Sequence, residues 1–303
     1  MGSVFAAADV GSNTAHLLVG EYENGTIQRV VNQSVWISLG EQVSRHGVIP
    51  TRLQTMLIRT LKEFRSLAKA HRSEGFYVFA TEAVRKAANS REVLDQVLEE
   101  TKVDVDVIPP QREAQLSLLG ARLDRKVDGN SILLEVGGGS AQVAFCNDDR
   151  VVDDYSLPIG TGSLVAISNL TQPATDEQVR AVRKEVARYS ERLPSADGLP
   201  IVASGGVIRG IWRMLHPDGD PVLQTPEFDY VSWSTQQLDV QTIIRRFGVK
   251  ERRASTLLPG SLCFSGILES LETDSLTVSE YGVREGAIFE MAKGKSRAKV
   301  ACL

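Results

Sequence analysis

Two short segments of the sequence carry the residue types that bind phosphate and a divalent cation. Residues 9–13 and residues 135–140 each place an acid, Asp9 or Glu135, at the end of an apolar run and follow it with a turn rich in glycine and serine. Glycine lets backbone N–H groups approach an anion without a Cβ in the way. The carboxylate before each turn offers the oxygen ligand that Mg²⁺ prefers. A tight hairpin would explain either segment alone, but two matched segments favour a phosphate site with Mg²⁺.

The elements around the two segments follow the same order. Residues 4–10, 15–22 and 26–37 have strand character, with an Asn24-Gly25 hairpin signal, and an apolar stripe at helical spacing follows over residues 51–71. Further strands are predicted over 76–80 and 103–108, with helices over 91–101 and 111–123. The pattern starts again at residues 131–136, and 126 positions separate Asp9 from Glu135. The sequence therefore predicts a duplicated α/β fold, with one domain over residues 1–124, a second over 125–303, and a cleft between them.

Capping signals place several helices of the second half. Thr175 and Gln178 have capping-box spacing, and Ser234 and Gln237 repeat it, so a helix is expected after each. Two later helices are expected near residues 257–271 and 283–292.

Composition limits the class of protein and its partners. The chain has 303 residues, of which 42% are hydrophobic and 24% charged, with a net charge of −4, which excludes a disordered or collagen-like chain. A mildly acidic chain argues against nucleic acid or a membrane surface as a partner. Three distant cysteines, Cys146, Cys263 and Cys302, suggest no disulfide framework, and from the residue pattern we expect neither a signal peptide nor a membrane-spanning run. We therefore expect a cytoplasmic protein.

Six segments resemble one known family in the family's own order. Residues 8–16 and 135–142 are similar to the first and second phosphate motifs of the exopolyphosphatase/guanosine pentaphosphate phosphohydrolase (Ppx/GppA) family. The other matching segments are residues 80–89, 112–116, 203–206 and 281–286. The resemblance runs from about residue 4 to residue 292 and corresponds to the short two-domain form.

The resemblance implies a fold and an activity. The fold would be a duplicated actin-like (ASKHA, ribonuclease H-like) α/β fold, whose last helix, at about 283–292, packs back on the first domain. The activity would be Mg²⁺-dependent hydrolysis of a terminal phosphoanhydride, with inorganic polyphosphate as the substrate. Guanosine pentaphosphate as the substrate, a weakly active or non-catalytic sensor of polyphosphate or alarmone, and a homodimer all stay open.

The resemblance also assigns roles to individual residues. Glu113 would be the general base, since a carboxylate at the start of a helix can orient an attacking water, and Arg85 would clamp phosphate through two hydrogen bonds. Asp9, Glu135 and Gln142 would hold the metal. Phosphate would be bound by Gly11, Ser12, Asn13, Thr14, His16, Gly137, Gly138, Gly139, Ser140, Ser204 and Gly205.

Three positions depart from the family pattern. Glu135 stands where the family usually has Asp, Gln142 where it has Glu, and Arg112 where it has the first of two glutamates. Gln142 removes a charge near the proposed metal, whereas Arg112 adds one beside Glu113 and is expected to lower the pKa of that carboxyl or to bind phosphate. Arg284 and Glu285 are interpreted as an ion pair at the start of a helix.

Overall fold

The computed structural model describes residues 2–125 and 129–294, which divide into two compact units. The first unit contains the described residues of Met1–Asp124 and of Tyr281–Leu303, and the second those of Arg125–Glu280. The expected cleft between the two halves stays a prediction.

The first unit is a five-stranded sheet covered by helices. Its elements are β1 (Ser3–Val10), β2 (Thr14–Glu23), β3 (Thr26–Trp36), α1 (Leu39–His46), α2 (Thr51–Ala70), β4 (Gly75–Ala80), α3 (Glu82–Lys86), α4 (Ser90–Thr101), β5 (Val105–Val107), α5 (Pro110–Asp124) and, from the end of the described chain, α12 (Val283–Ala292). The strand order is β3-β2-β1-β4-β5, with β4 and β5 parallel to β1.

The second unit has a six-stranded sheet. Its elements are β6 (Asn130–Val136), β7 (Ala141–Asn147), β8 (Arg150–Leu157), α6 (Thr161–Ser168), α7 (Asp176–Ser190), β9 (Ile201–Ser204), α8 (Gly206–Leu215), β10 (Val222–Gln224), α9 (Thr225–Gln236), α10 (Val240–Phe247), α11 (Glu251–Ser270) and β11 (Ser275–Val278). The strand order is β10-β11-β9-β6-β7-β8. Without the added edge strand β10, this order and its parallel and antiparallel pairings repeat those of the first unit, which confirms the duplicated α/β fold.

The central strand of the first unit is buried on both faces. Ala6, Ala8 and Val10 of β1 pack in one core with α2 and α4, whereas Ala7 lies in a second core with α5 and α12. Burial on both faces explains why residues 4–10 form an apolar run rather than an alternating pattern.

Local signals predicted several turns and caps correctly. Asn24 and Gly25 both have left-handed backbone angles and join β2 to β3, as a two-residue hairpin requires. Thr175 and Gln178 form the expected capping box at α7. The capping box expected at Ser234 is wrong. Ser234 lies inside α9, where its hydroxyl donates to the Val231 carbonyl, because α9 already begins at Thr225.

The last described helix is fixed to the first unit by backbone contacts. A Cβ on Gly286 would overlap the Leu116 carbonyl oxygen, and one on Gly120 would overlap the backbone of Gly282, so α12 and α5 approach more closely than side chains would allow. The Tyr281 hydroxyl also donates to the carbonyl of Ile27 on β3, at 2.7 Å.

The expected ion pair at the start of α12 is wrong. Glu285 accepts from the Gly282 amide at 3.0 Å and pairs with Arg29 at 2.8 Å rather than with Arg284.

Two of the three cysteines lie in the described residues. Cys146 and Cys263 are buried thiols, and burial raises the pKa of the Cys263 thiol, which makes it unreactive at neutral pH. Cys302 lies outside the described residues. Within residues 2–125 and 129–294, no helix is both long and apolar enough to cross a membrane.

Candidate functional site

The candidate residues of the first unit lie at one edge of its sheet. Val10, Ala80 and Val107 end the parallel strands β1, β4 and β5 in register. The Thr81 amide donates to the Val10 carbonyl at 3.2 Å, and the Ile108 amide donates to the Ala80 carbonyl at 3.0 Å. The first loop, α3 and α5 therefore leave the sheet at neighbouring points, and such edges bind ligands in open α/β sheets.

The first loop, residues 11–13, is held by the segment that follows β3. The Gly11 amide closes the turn on the Thr14 carbonyl at 3.0 Å, while the Ser12 carbonyl accepts from the Gly40 amide and the Asn13 carbonyl from the Ile37 amide. A Cβ on Gly40 would lie 2.7 Å from the Ser12 Cβ, so this contact needs glycine. In the described chain, the amides of Ser12 and Asn13 donate to no backbone carbonyl. The loop can therefore present these N–H groups to an anion.

Asp9 and His16 face each other as a register pair of β1 and β2, two residues before the first loop and two after its turn. The Asp9 carboxylate lies 3.4 Å from the guanidinium of Arg284, and both side chains are largely buried. The sequence analysis missed this pair. The only signal was the position of Arg284 inside a segment that resembles a family motif.

Arg85 and Glu113 approach the same connection between β5 and α5. The Arg85 guanidinium donates to the Ile108 carbonyl at 2.5 Å, and the Glu113 amide donates to the Pro109 carbonyl at 3.1 Å. Glu113 is half-buried in the first turn of α5, where the helix dipole stabilises a negative charge. This hydrogen bond links Arg85, the proposed phosphate clamp, to the connection that leads into α5, the helix of the proposed base Glu113.

Arg112 binds another carboxylate. Its guanidinium donates to both Glu290 carboxylate oxygens, at 2.7 and 2.5 Å. Glu290 therefore offsets the positive charge that was expected to act on Glu113 or on phosphate.

In the second unit, Glu135 holds the place that Asp9 has in the first, between an antiparallel and a parallel strand. Glu135 pairs in register with Ser204 on one side and with Gln142 on the other, and the Ser204 hydroxyl donates to the Glu135 carboxylate. Gly205 has a φ of 99° and leads into α8, so this position favours glycine.

The second loop, residues 137–140, is held in the same way as the first. The Gly137 amide donates to the Ser140 carbonyl at 2.8 Å, and the carbonyls of Gly137 and Gly138 accept from amides at the start of α6. Those donors are Thr161 at 2.9 Å, Gly162 at 2.8 Å and Ser163 at 3.2 Å. Each loop thus directs carbonyls toward a segment after the third strand of its unit.

The sequence analysis missed both supporting segments, residues 37–40 and 160–163. Glycines there are the signal that could have found them. A Cβ on Gly160 would lie 2.5 Å from the backbone of Gly138 and of Ser140.

Gln142 is buried and oriented by a neighbouring acid. Its amide nitrogen donates to the Asp154 carboxylate at 3.0 Å. Burial raises the pKa of Asp154, the hydrogen bond from Gln142 lowers it, and Asp153 raises it further, with a net increase. Gln142 thus partly offsets the cost of burying the Asp154 charge.

Oxygen donors for a metal are present in each unit, but not as a cluster. The described residues contain no group of three or more histidine, cysteine, aspartate or glutamate side chains placed to hold an ion. Asp9 and Glu135 each offer a carboxylate beside a loop of amides, and this fits Mg²⁺, which keeps several waters and needs few protein ligands.

Known proteins resemble this chain over nearly its whole length. A sequence profile of the Ppx/GppA phosphatase family matches residues 18–295. Exopolyphosphatase 1 of Mycobacterium tuberculosis is 28% identical over 296 residues, which cover 92% of this chain and 86% of that protein.

Two solved structures resemble the fold closely. The crystal structure of the Aquifex aeolicus member of the Ppx/GppA family is 27% identical, with a TM-score of 0.84, and covers 98% of this chain and 99% of that one. An exopolyphosphatase from Cytophaga hutchinsonii, 22% identical with a TM-score of 0.86, covers 97% of this chain and 99% of that one and shows the same fold. Together with the repeated strand order, these likenesses confirm the expected actin-like α/β fold.

Proposed function

The chain belongs to the Ppx/GppA phosphatase family, and we propose that it is an exopolyphosphatase, which releases terminal orthophosphate from inorganic polyphosphate by hydrolysis. The observation that carries the proposal is the pair of loops of the same construction, 11–13 and 137–140. Each follows an acid, and each is held through its carbonyls. Loops built in this way suit a substrate made of successive phosphates, since each can bind phosphate oxygens through backbone N–H groups.

Substrate binding depends first on positioning and charge. Phosphoryl transfer involves little covalent chemistry by the protein, so groups that hold the phosphate oxygens and neutralise their charge dominate catalysis. The amides of Ser12 and Asn13 and the guanidinium of Arg85 supply these groups in the first unit. Gly138, Gly139 and Ser140 supply the amides in the second unit.

Glu113 is the proposed general base. It would accept a proton from water as that water attacks the terminal phosphorus, and the bond to the leaving phosphate chain breaks. The hydrogen bond from Arg85 to Ile108 fixes the entry to α5, so clamp and base would keep a constant geometry.

Asp9 in the first unit, and Glu135 with the side-chain oxygen of Gln142 in the second, are the residues that we propose to bind Mg²⁺. Mg²⁺ would neutralise phosphate charge when bound. The Ser204 hydroxyl bonds to Glu135 and would orient that carboxylate.

The test is a phosphate-release assay on polyphosphates of several lengths and on guanosine pentaphosphate, each with and without Mg²⁺. Release from polyphosphate that requires Mg²⁺ is the expected result. Preferential release from guanosine pentaphosphate would assign the nucleotide as the substrate, and tight binding without turnover would indicate a sensor. A cytoplasmic location and a homodimer stay predictions.

A further inference from the structure

We propose that Arg284 binds a phosphoryl oxygen of the substrate beside the first loop. The inference rests on the proposed function for the identity of the anion, and it adds a second arginine to the phosphate site of the first unit. Within that unit, Arg284 would act on the same edge of the sheet as Arg85.

Arg284 is buried with donors that have no acceptor. The residue is only 8% exposed, and in the described part of the chain its Nε and Nη1 atoms have no hydrogen-bond partner. Asp9 lies 3.4 Å from Nε, which is an ion-pair distance, but the alignment does not make a hydrogen bond. Nε and Nη1 carry three of the five N–H groups of a guanidinium. Buried donors of this kind are rare in folded proteins, so each needs an explanation, such as a role in binding a ligand.

The backbone around Arg284 is held in place by contacts of the neighbouring residues. Gly286 lets α12 contact the Leu116 carbonyl, and Glu285 bonds both to the Gly282 amide and to Arg29. Neighbouring residues therefore anchor the start of α12 without the help of Arg284. Other residues already hold the helix, and burial of the Arg284 donors without hydrogen bonds costs free energy. A role in stability therefore explains Arg284 poorly.

The positive charge of Arg284 also favours an anion. The chain carries a net charge of −4, so an anionic substrate must meet a local positive group. Asp9 is two residues from Gly11, which places the guanidinium near the amides of the first loop. A phosphate offers a guanidinium two parallel acceptor oxygens, a better partner than one misaligned carboxylate oxygen.

Direct binding in the absence of metal tests the proposal. Tripolyphosphate is titrated calorimetrically in EDTA into the wild-type protein and into Arg284→Met, Arg284→Lys and Arg29→Lys. We expect Arg284→Met to bind about tenfold more weakly or worse and Arg284→Lys to fall between, because lysine keeps the charge but loses the planar pair of donors. Arg29→Lys is the matched control, since Arg29 already has a hydrogen-bonded carboxylate in Glu285, and its affinity should not change.

Asp9→Asn should change the affinity for tripolyphosphate in the opposite direction. Removing the carboxylate leaves Arg284 without its counter-charge, so metal-free tripolyphosphate should bind more tightly to this variant even though Asp9 is a proposed metal ligand. The gain should be smaller when Arg284 is also replaced by methionine, because relief of the repulsion between Asp9 and phosphate does not by itself depend on Arg284.

Thermal unfolding separates a binding role from a structural one. Arg284→Met should still unfold cooperatively, at a temperature lowered by no more than the loss of the Asp9 ion pair, and should lose the stabilisation that tripolyphosphate gives the wild type. Wild-type affinity in a folded Arg284→Met, or the absence of tripolyphosphate binding by the wild type, would overturn the proposal. Binding that depends on Arg284 in a protein that hydrolyses no polyphosphate would instead refute only the proposed function.

Discussion

Arg112 and Glu290 form a two-bonded ion pair that joins the first turn of α5 to the last turn of α12. The hydrogen bonds are 2.7 and 2.5 Å long, and the side chains are 28% and 12% exposed. The pair lies next in sequence to Glu113, so it fixes the helix turn that bears the proposed base. Arg112 is also one of the three residues that depart from the family pattern, and Glu290 is the acid that offsets its charge.

Breaking this pair should cost stability. We expect Arg112→Met or Glu290→Gln to lower the free energy of unfolding by about 1–3 kcal/mol, because each leaves a partly buried charge without its partner. The double variant should lose clearly less than the sum of the two. Urea unfolding of the four proteins measures the coupling, and additive losses would show that the two side chains act independently.

Glu113→Gln should separate catalysis from binding. The amide keeps the shape of the side chain but cannot accept the proton of water, so turnover of polyphosphate should fall about 10²- to 10⁴-fold. Affinity for tripolyphosphate should survive. Glu92→Gln is the matched control, because Glu92 is also a first-turn glutamate, on α4, and should affect only local stability. Near wild-type turnover in Glu113→Gln would refute the assignment.

Restoring a glutamate at position 142 should help only when Asp154 is also changed. Gln142→Glu alone sets two carboxylates at the site of the present 3.0 Å hydrogen bond, which should raise the pKa of Asp154 further and destabilise the protein at neutral pH. Gln142→Glu combined with Asp154→Asn should recover stability and lower the Mg²⁺ concentration for half-maximal phosphate release. Identical Mg²⁺ titrations of the double variant and the wild type would mean that position 142 does not act on the metal.

The raised pKa of Asp154 should also make the free energy of unfolding depend on pH. Its pKa is raised in the folded state, chiefly by burial, so the folded protein binds this proton more tightly than the unfolded chain does. The contribution of Asp154 to stability therefore falls as pH rises from the unfolded to the folded pKa. Relative to the wild type, Asp154→Asn should gain stability as pH rises through that range, which urea unfolding at a series of pH values would measure. A pH-independent difference would contradict the explanation.

Gly286→Ala should force α12 away from α5. The new Cβ would overlap the Leu116 carbonyl, and backbone cannot give way as a flexible side chain can, so we expect a loss of about 3 kcal/mol in unfolding free energy. Gly210→Ala is the control, because the nearest atom to its new Cβ would be in the flexible Arg253 side chain, at 3.2 Å, rather than in backbone. Equal stability of the two variants would show that the close helix contact is unimportant.

The sequence by itself determined the duplicated fold and the position of both loops. Local chemistry carries this information. Asn-Gly pairs favour the left-handed angles of a two-residue hairpin, as Asn24 and Gly25 do here, and Thr175 with Gln178 caps a helix from within one turn. The acid before each glycine-rich turn marked the candidate phosphate and metal residues in the same way.

Only the tertiary structure decided which charges meet. Arg112 pairs with Glu290 and Asp9 with Arg284, residues that the chain separates by most of its length, because β1, α5 and α12 belong to one packed unit. Whether an arginine stays solvated, pairs with an acid or keeps buried donors for a ligand depends on the burial that packing imposes. Neither the type of a side chain nor its spacing along the sequence contains that information.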